Sequence, residues 1–137
     1  MIGHVKHGAQ LNHVLSSIVK HIEVETGGDV ILTSSARTIQ EHVKIYKQLD
    51  KDGKLDRPWY EEIPWGSYHL PKWENSFCNA MDIAVRVNSR KISGKRIAEL
   101  ARPVLKEYGA FNGVGIGSNF CHIDIRPRVS ADWAYNY

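Results

Sequence analysis

Leu11, Val14, Leu15, Ile18, Val19 and Ile22 recur at intervals of three and four, which predicts a helix with one buried stripe. Gly27-Gly28 follows and should end it, because glycine tolerates the left-handed conformation that closes a helix. Val30-Ile31-Leu32-Thr33 is a short β-branched run and predicts a buried strand. A second helix is expected over residues 38–49, with Thr38 as N-cap and Glu41 completing a capping box. Periodicity then disappears over residues 50–79. It returns as strand alternation over residues 80–87, with Ala80, Asp82 and Ala84 on one face and Met81, Ile83 and Val85 on the other. Ser93 should open a helix to Tyr108, carrying Ile97, Leu100, Ala101, Val104 and Leu105 on its apolar side. Pro103 lies inside that pattern and is expected to kink or split the helix. Residues 114–116 and 120–125 predict a closing hairpin around Gly117-Ser118-Asn119.

This order of elements implies an α+β fold with helices packed on a small, mostly antiparallel sheet. A chain of 137 residues fits one domain, residues 1–137, able to bury a core without disulfide staples. A hydrophobic content of 42% with 24% charged residues excludes extended disorder and low-complexity classes. No apolar run approaches the ~20 residues that span a bilayer, and the first residues lack the apolar core of a secretory signal. Neither a membrane nor a nucleic-acid partner is expected, because a net charge of +3 is too weak to announce one, though it suits an anionic polymer. An aperiodic stretch as long as residues 50–79 is normally functional. It holds Trp59, Trp65 and Trp73 with Tyr60, Tyr68 and Phe77, so substrate selection is expected there.

Most standard catalytic motifs are absent. Gly113-Val114-Gly115-Ile116-Gly117 precedes a strand rather than opening a helix, which argues against a dinucleotide fingerprint. Asp50-Lys51-Asp52-Gly53 resembles part of a calcium loop, but Lys54 stands where the third acidic ligand belongs, so a solvated turn is expected. His4, His7, His13, His21 and His42 are scattered over the N-terminal third; His42 is expected at the surface, its alternative being to approach the site from a helix close to Arg37. Arg90, Lys91, Lys95 and Arg96 read as a solvated turn and helix start. What remains is a metal-competent set: His69 ending the aromatic loop, Asp82 on a strand, and His122 with Asp124 on the last strand. Residues at i and i+2 share a strand face, so His122 and Asp124 face one site together. Two imidazoles and a carboxylate make a three-ligand Zn²⁺ set with a fourth position open.

Taken together, these pieces resemble the M15 zinc peptidases. The resemblance rests on Ser34-Ser35-Ala36-Arg37 after a strand, Ser67-x-His69, Ala80-x-Asp82-Ile83, and Gly115-x-Gly117 followed by Phe120-Cys121-His122-Ile123-Asp124-Ile125-Arg126. That family includes D-alanyl-D-alanine carboxypeptidases, phage L-alanyl-D-glutamate endopeptidases and murein endopeptidases. The closest likeness is to its short HxD members, over residues from about 30 to 133. The resemblance implies a hedgehog/DD-peptidase-like fold, one Zn²⁺ held by His69, Asp82 and His122, and Arg37 as the arginine that holds a substrate carboxylate or carbonyl. It also implies a peptidoglycan stem-peptide substrate, as in a phage endolysin or a lysin carried with virion proteins. Such a protein is made in the cytoplasm and acts on the cell wall. Trp133 stands where related domains often place an aromatic.

Two departures from the family pattern matter. His69 and Asp82 are farther apart than the family's first histidine and aspartate, which implies an insertion of about six residues within 70–79. Asn119 also replaces the acid that many members place before the last ligand, and an amide cannot accept a proton. Asp124 is the best local replacement as general base, with Glu61, Glu62 and Glu74 in reserve; its other reading is to hold a ligand or Arg126 by hydrogen bond. The alternative function is therefore an M15-like structural or wall-binding module of a phage particle that has lost catalysis. Cys78 and Cys121 are expected to be reduced, or paired across the inserted loop if the protein works outside the cell.

Overall fold

The computed structural model describes residues 11–34, 39–70 and 79–137. Arg37, Thr38, Trp73, Glu74, Phe77 and Cys78 lie outside the described residues, as do His4 and His7.

The apolar stripe of the first helix is buried as its spacing predicts. In α1 (His13–Thr26), Val14, Leu15, Ile18, Val19 and Ile22 all face the core. Asn12 caps the helix by accepting the Val14 N–H at 2.9 Å. Then follow β1 (Asp29–Ser34), α2 (Ile39–Lys51), the short α3 (Trp59–Glu62), β2 (Ala80–Val87) and β3 (Arg90–Lys91). The chain ends with α4 (Gly94–Tyr108), β4 (Asn112–Ile116), β5 (Cys121–Ile125) and β6 (Ala131–Ala134).

α4 departs from expectation, running unbroken through Pro103. Proline leaves the carbonyl four residues back without a donor. Pro103 and its neighbour Arg102 lie on the exposed side of α4, where water can satisfy that carbonyl, while Ala101 and Val104 keep the buried side packed. α3 and β6 are elements that the sequence pattern does not announce.

The described strands form one six-stranded sheet in the order β1-β2-β5-β4-β6, with β3 paired to the far end of β2. All pairs are antiparallel except β4 with β6. α1 and α4 pack on each other and on one face, where Met81, Ile83, Val85, Val114, Cys121 and Ile123 meet the helix stripes. Alternation along the strands therefore leaves the opposite face to Ala80 and Asp82 of β2, His122 and Asp124 of β5, and Gly113 and Gly115 of β4. Among the described residues no helix is long and apolar enough to cross a membrane.

Candidate metal centre

Cross-strand register builds the site. Ser34 pairs with Asp82, Asp82 with His122, His122 with Gly115, and Gly115 with Trp133, so one row crosses the sheet. The neighbouring row runs Ala80, Asp124, Gly113 and Ala131. At the edge of the first row the β1–β2 register slips between Leu32 and Ser34, and the hydroxyl of Thr33 donates to the Asp82 carbonyl at 3.0 Å.

His69 reaches this face from the loop after α3. A tight turn holds it: the Ser67 N–H donates to the Pro64 carbonyl at 3.0 Å, and the His69 N–H donates to Ser67 Oγ at 3.2 Å. His42 of α2 fastens the same turn, its Nε2 lying 2.9 Å from the Pro64 carbonyl oxygen. His42 is fully buried, not at the surface as its position in the polar first third suggested. A neutral imidazole can donate one N–H to a buried carbonyl at little cost, and that pairing admits it to the interior.

His69, Asp82 and His122 converge, with one donor atom from each within 4.8 Å of the others. Asp82 Oδ1 lies 2.9 Å from His122 Nδ1. His69 Nε2 lies 3.3 Å from His122 Nδ1 and 3.4 Å from Asp82 Oδ2. The last two distances are long for charge-assisted hydrogen bonds, which fall at ~2.7–2.9 Å. They match the edge of a tetrahedron whose donors stand ~2.0–2.1 Å from its centre, which is ~3.3 Å. The donor set thus fits a small divalent cation.

Electrostatics agree with that fit. Burial by itself would raise the Asp82 carboxyl, but the His69 charge and hydrogen bonds from His122 and His69 hold it below the usual carboxylate range. Burial would lower His122, yet hydrogen bonds to Asp124 and Asp82 and their charges push it up to about 9. The surroundings of His122 favour positive charge at that spot.

Asp124 occupies the other side of the His122 ring. It is 1% exposed, and its Oδ2 lies 2.7 Å from His122 Nε2. Arg126 grips the same carboxylate, with Nε donating to Oδ1 and Nη2 to Oδ2, both at 2.7 Å. Burial would raise Asp124, but these bonds and charges outweigh it and keep the carboxyl low. Both of its oxygens are committed behind the imidazole, away from the side that faces His69 and Asp82. That geometry suits orienting the ring: Nε2–H donates to Asp124, and the Nδ1 lone pair is left for the ion. Of the two readings of Asp124, the hydrogen-bonding one matches these contacts.

The centre lies in a cleft of about 520 Å³. Of the described 50–70 stretch, only Pro64, Gly66, Ser67, Tyr68 and His69 line it; Trp59, Trp65, Glu61 and Glu62 do not. Its aromatic wall joins Tyr68 to Tyr46 of α2, Phe120, and the closing Trp133, Tyr135 and Tyr137. The Trp133 ring centroid is 5.2 Å from that of His122. Of the described aromatics in the long loop, Tyr68 alone reaches the cleft. The reason is local: Trp59 packs under Lys47 Nζ, 5.0 Å from its centroid, and Trp65 is 57% exposed.

The glycines of β4 are the floor of the site. A Cβ on Gly115 would stand 2.4 Å from Trp133 Nε1, and one on Gly113 would stand 2.4 Å from Arg126 Nη2. Alternate glycines let the indole and the guanidinium lie flat on the sheet. From sequence, Arg126 is expected only as a partner of Asp124 and Gly115 only as part of a motif; that Gly113 and Gly115 form a floor, and that Trp133 lies on a sixth strand, come from the fold. Glycine at every second strand position was the available signal. Cys121 is a free thiol on the opposite, helix-covered face, and burial pushes it up to about 12. No protein-family model matches the chain, and no curated protein is significantly similar to it.

Proposed function

We propose that the chain is a zinc-dependent peptidase of the M15 type, with a hedgehog/DD-peptidase-like fold, acting on peptidoglycan stem peptides as a phage endolysin or virion-associated lysin. One observation carries this reading: two imidazoles and an ionised carboxylate converge, one donor atom from each within 4.8 Å of the others, in a cleft of about 520 Å³. The substrate and the phage setting rest on the motif resemblance. His69, Asp82 and His122 would hold the ion. A bound Zn²⁺ supplies Lewis acidity, lowering the pKa of water toward ~7 and polarising a scissile carbonyl. Asp124 fixes the tautomer and orientation of His122, and Arg126 holds Asp124 in place. The aromatic wall packs the peptide and keeps bulk water from the reacting bond. Arg37, the expected substrate-holding arginine, remains part of the proposal.

A second reading is favoured by a specific observation. Among the described residues lining the cleft the only carboxylates are Asp82 and Asp124, and both are committed. Among the described residues no spare carboxylate is there to take a proton, as in a metal-holding module that binds murein peptides without cutting them. Zinc stoichiometry measured together with murein digestion separates the two. One zinc per chain with new peptide ends released supports the peptidase. Tight 1:1 zinc with no released ends, in wild type as in Asp124→Ala, supports the binding module.

A further inference from the structure

Arg126 is the only arginine or lysine among the described residues that line the cleft. It is held unusually firmly. Asp124 takes its Nε–H and one Nη2–H, each at 2.7 Å. Its guanidinium carbon lies 5.1 Å from the Tyr68 ring centroid and 5.5 Å from that of Trp133. Gly113 lies beneath, where a Cβ would stand 2.8 Å from Cζ. The fork therefore has one orientation, and its side-chain entropy is already lost before a ligand arrives. A guanidinium carries five N–H donors. The Asp124 pair uses two of them, and among the described residues no acceptor meets Nη1. If Arg126 served only to hold Asp124, the two bonds would suffice; its place in the cleft lining would add nothing.

We propose that Arg126 is a carboxylate anchor, its Nη1 edge receiving a free carboxylate of the bound peptide. Asp124 Oδ2 is shared by His122 Nε2 and Arg126 Nη2, each 2.7 Å away, so the fork stands beside the metal centre. A carboxylate on the residue that follows the scissile amide can reach it, since one extended residue spans ~3.3 Å. A divalent ion together with Asp82, Asp124 and Arg126 leaves one net positive charge, which a single carboxylate neutralises. The ligand class is a peptide with a free α-carboxylate on the residue after the cleaved bond. That carboxylate comes either from the chain end, as in D-Ala-D-Ala, or from a γ-linked glutamate, as in L-Ala-D-Glu. The choice of peptides rests on the peptidase reading; the anchor does not.

The test is ligand-observed NMR on the zinc-loaded full chain, which follows binding and cleavage in one tube. Two pairs are compared: N-acetyl-D-Ala-D-Ala with its C-terminal amide, and N-acetyl-L-Ala-D-Glu γ-amide with its α,γ-diamide. Wild type should bind the free acid of at least one pair about tenfold more tightly, the strength of a hydrogen bond to a charged group. The pair that shows the preference identifies the source of the carboxylate. Arg126→Gln, with zinc verified at one per chain, should lose the preference. Equal binding of acid and amide by wild type, or a preference retained in Arg126→Gln, overturns the anchor. If Arg126→Gln loses zinc, Arg126→Lys, which keeps the charge without the fork, carries the test: its preference should fall severalfold, and an unchanged preference overturns the proposal. Preference without cleavage would uphold the anchor and overturn the peptidase reading. Cleavage without preference would do the reverse.

Discussion

Asp124 holds the Nε2 side of His122 while Arg126 closes both carboxylate oxygens, so the residues behind the ligand decide how well the ligand binds. Replacing the carboxylate by an amide of the same shape removes the charge that favours Nε2–H and weakens the grip on the ring. Asp124→Asn should therefore lower zinc affinity by about 10–100-fold with far-UV circular dichroism unchanged. Competition with a chelating dye measures it, and wild-type affinity would show that Asp124 does not orient His122. Gly115 makes a second claim at this scale. A methyl there meets the Trp133 indole 2.4 Å away and must push it off His122. Gly115→Ala should lower stability by about 1–3 kcal/mol in urea and alter tryptophan emission. Unchanged emission and stability would mean that the close packing of Trp133 on β4 is not needed.

At the scale of elements, α4 tolerates a proline because that turn faces water. Pro103→Ala restores a donor for the stranded carbonyl and should raise stability by about 2 kcal/mol, the helix gain less what proline contributes by stiffening the unfolded chain. A urea midpoint at or below wild type would mean that Pro103 packs favourably in a way its exposure does not suggest. The contrast among elements shows what a linear sequence can express. α1 was legible because its burial is one-sided and periodic, the stripe from Val14 to Ile22; β2 was legible because Met81, Ile83 and Val85 alternate toward the helices, although Ala80 and Ala84 on the other face are buried too. β6 was not legible. Ala131-Asp132-Trp133-Ala134 is too short for its alternation to announce a strand, and it is one because it lies parallel to the glycine strand, a tertiary fact. His122 and Asp124 could be assigned to one face from their i, i+2 spacing. That spacing left two roles open for Asp124, and the choice between them depends on Arg126 turning back over Gly113, which only the fold shows. His42 is buried because it shares the inward stripe of α2 with Ile45, Tyr46 and Leu49, at intervals of three, four and seven.

At the scale of the whole molecule, the sheet divides two tasks between its faces. α1, α4 and the core lie on one side, and the candidate metal centre and cleft, walled in part by α2, on the other. The core does not depend on the ion, so removal of metal should leave the fold standing. With EDTA, far-UV circular dichroism is expected to persist with a cooperative melt, while murein hydrolysis stops. Readdition of zinc at a thousand times its dissociation constant should stabilise the chain by about 4 kcal/mol, by preferential binding to the folded state. Loss of the helical signal with EDTA would instead make the metal a structural staple.

The proposed chemistry needs one ion held between three particular side chains. Anomalous diffraction at the zinc edge, from crystals of zinc-loaded protein, tests this most directly. A single peak bonded to His69, Asp82 and His122, with Asp124 outside the coordination sphere, is the predicted result. A peak elsewhere, or no peak at these three residues, would contradict it.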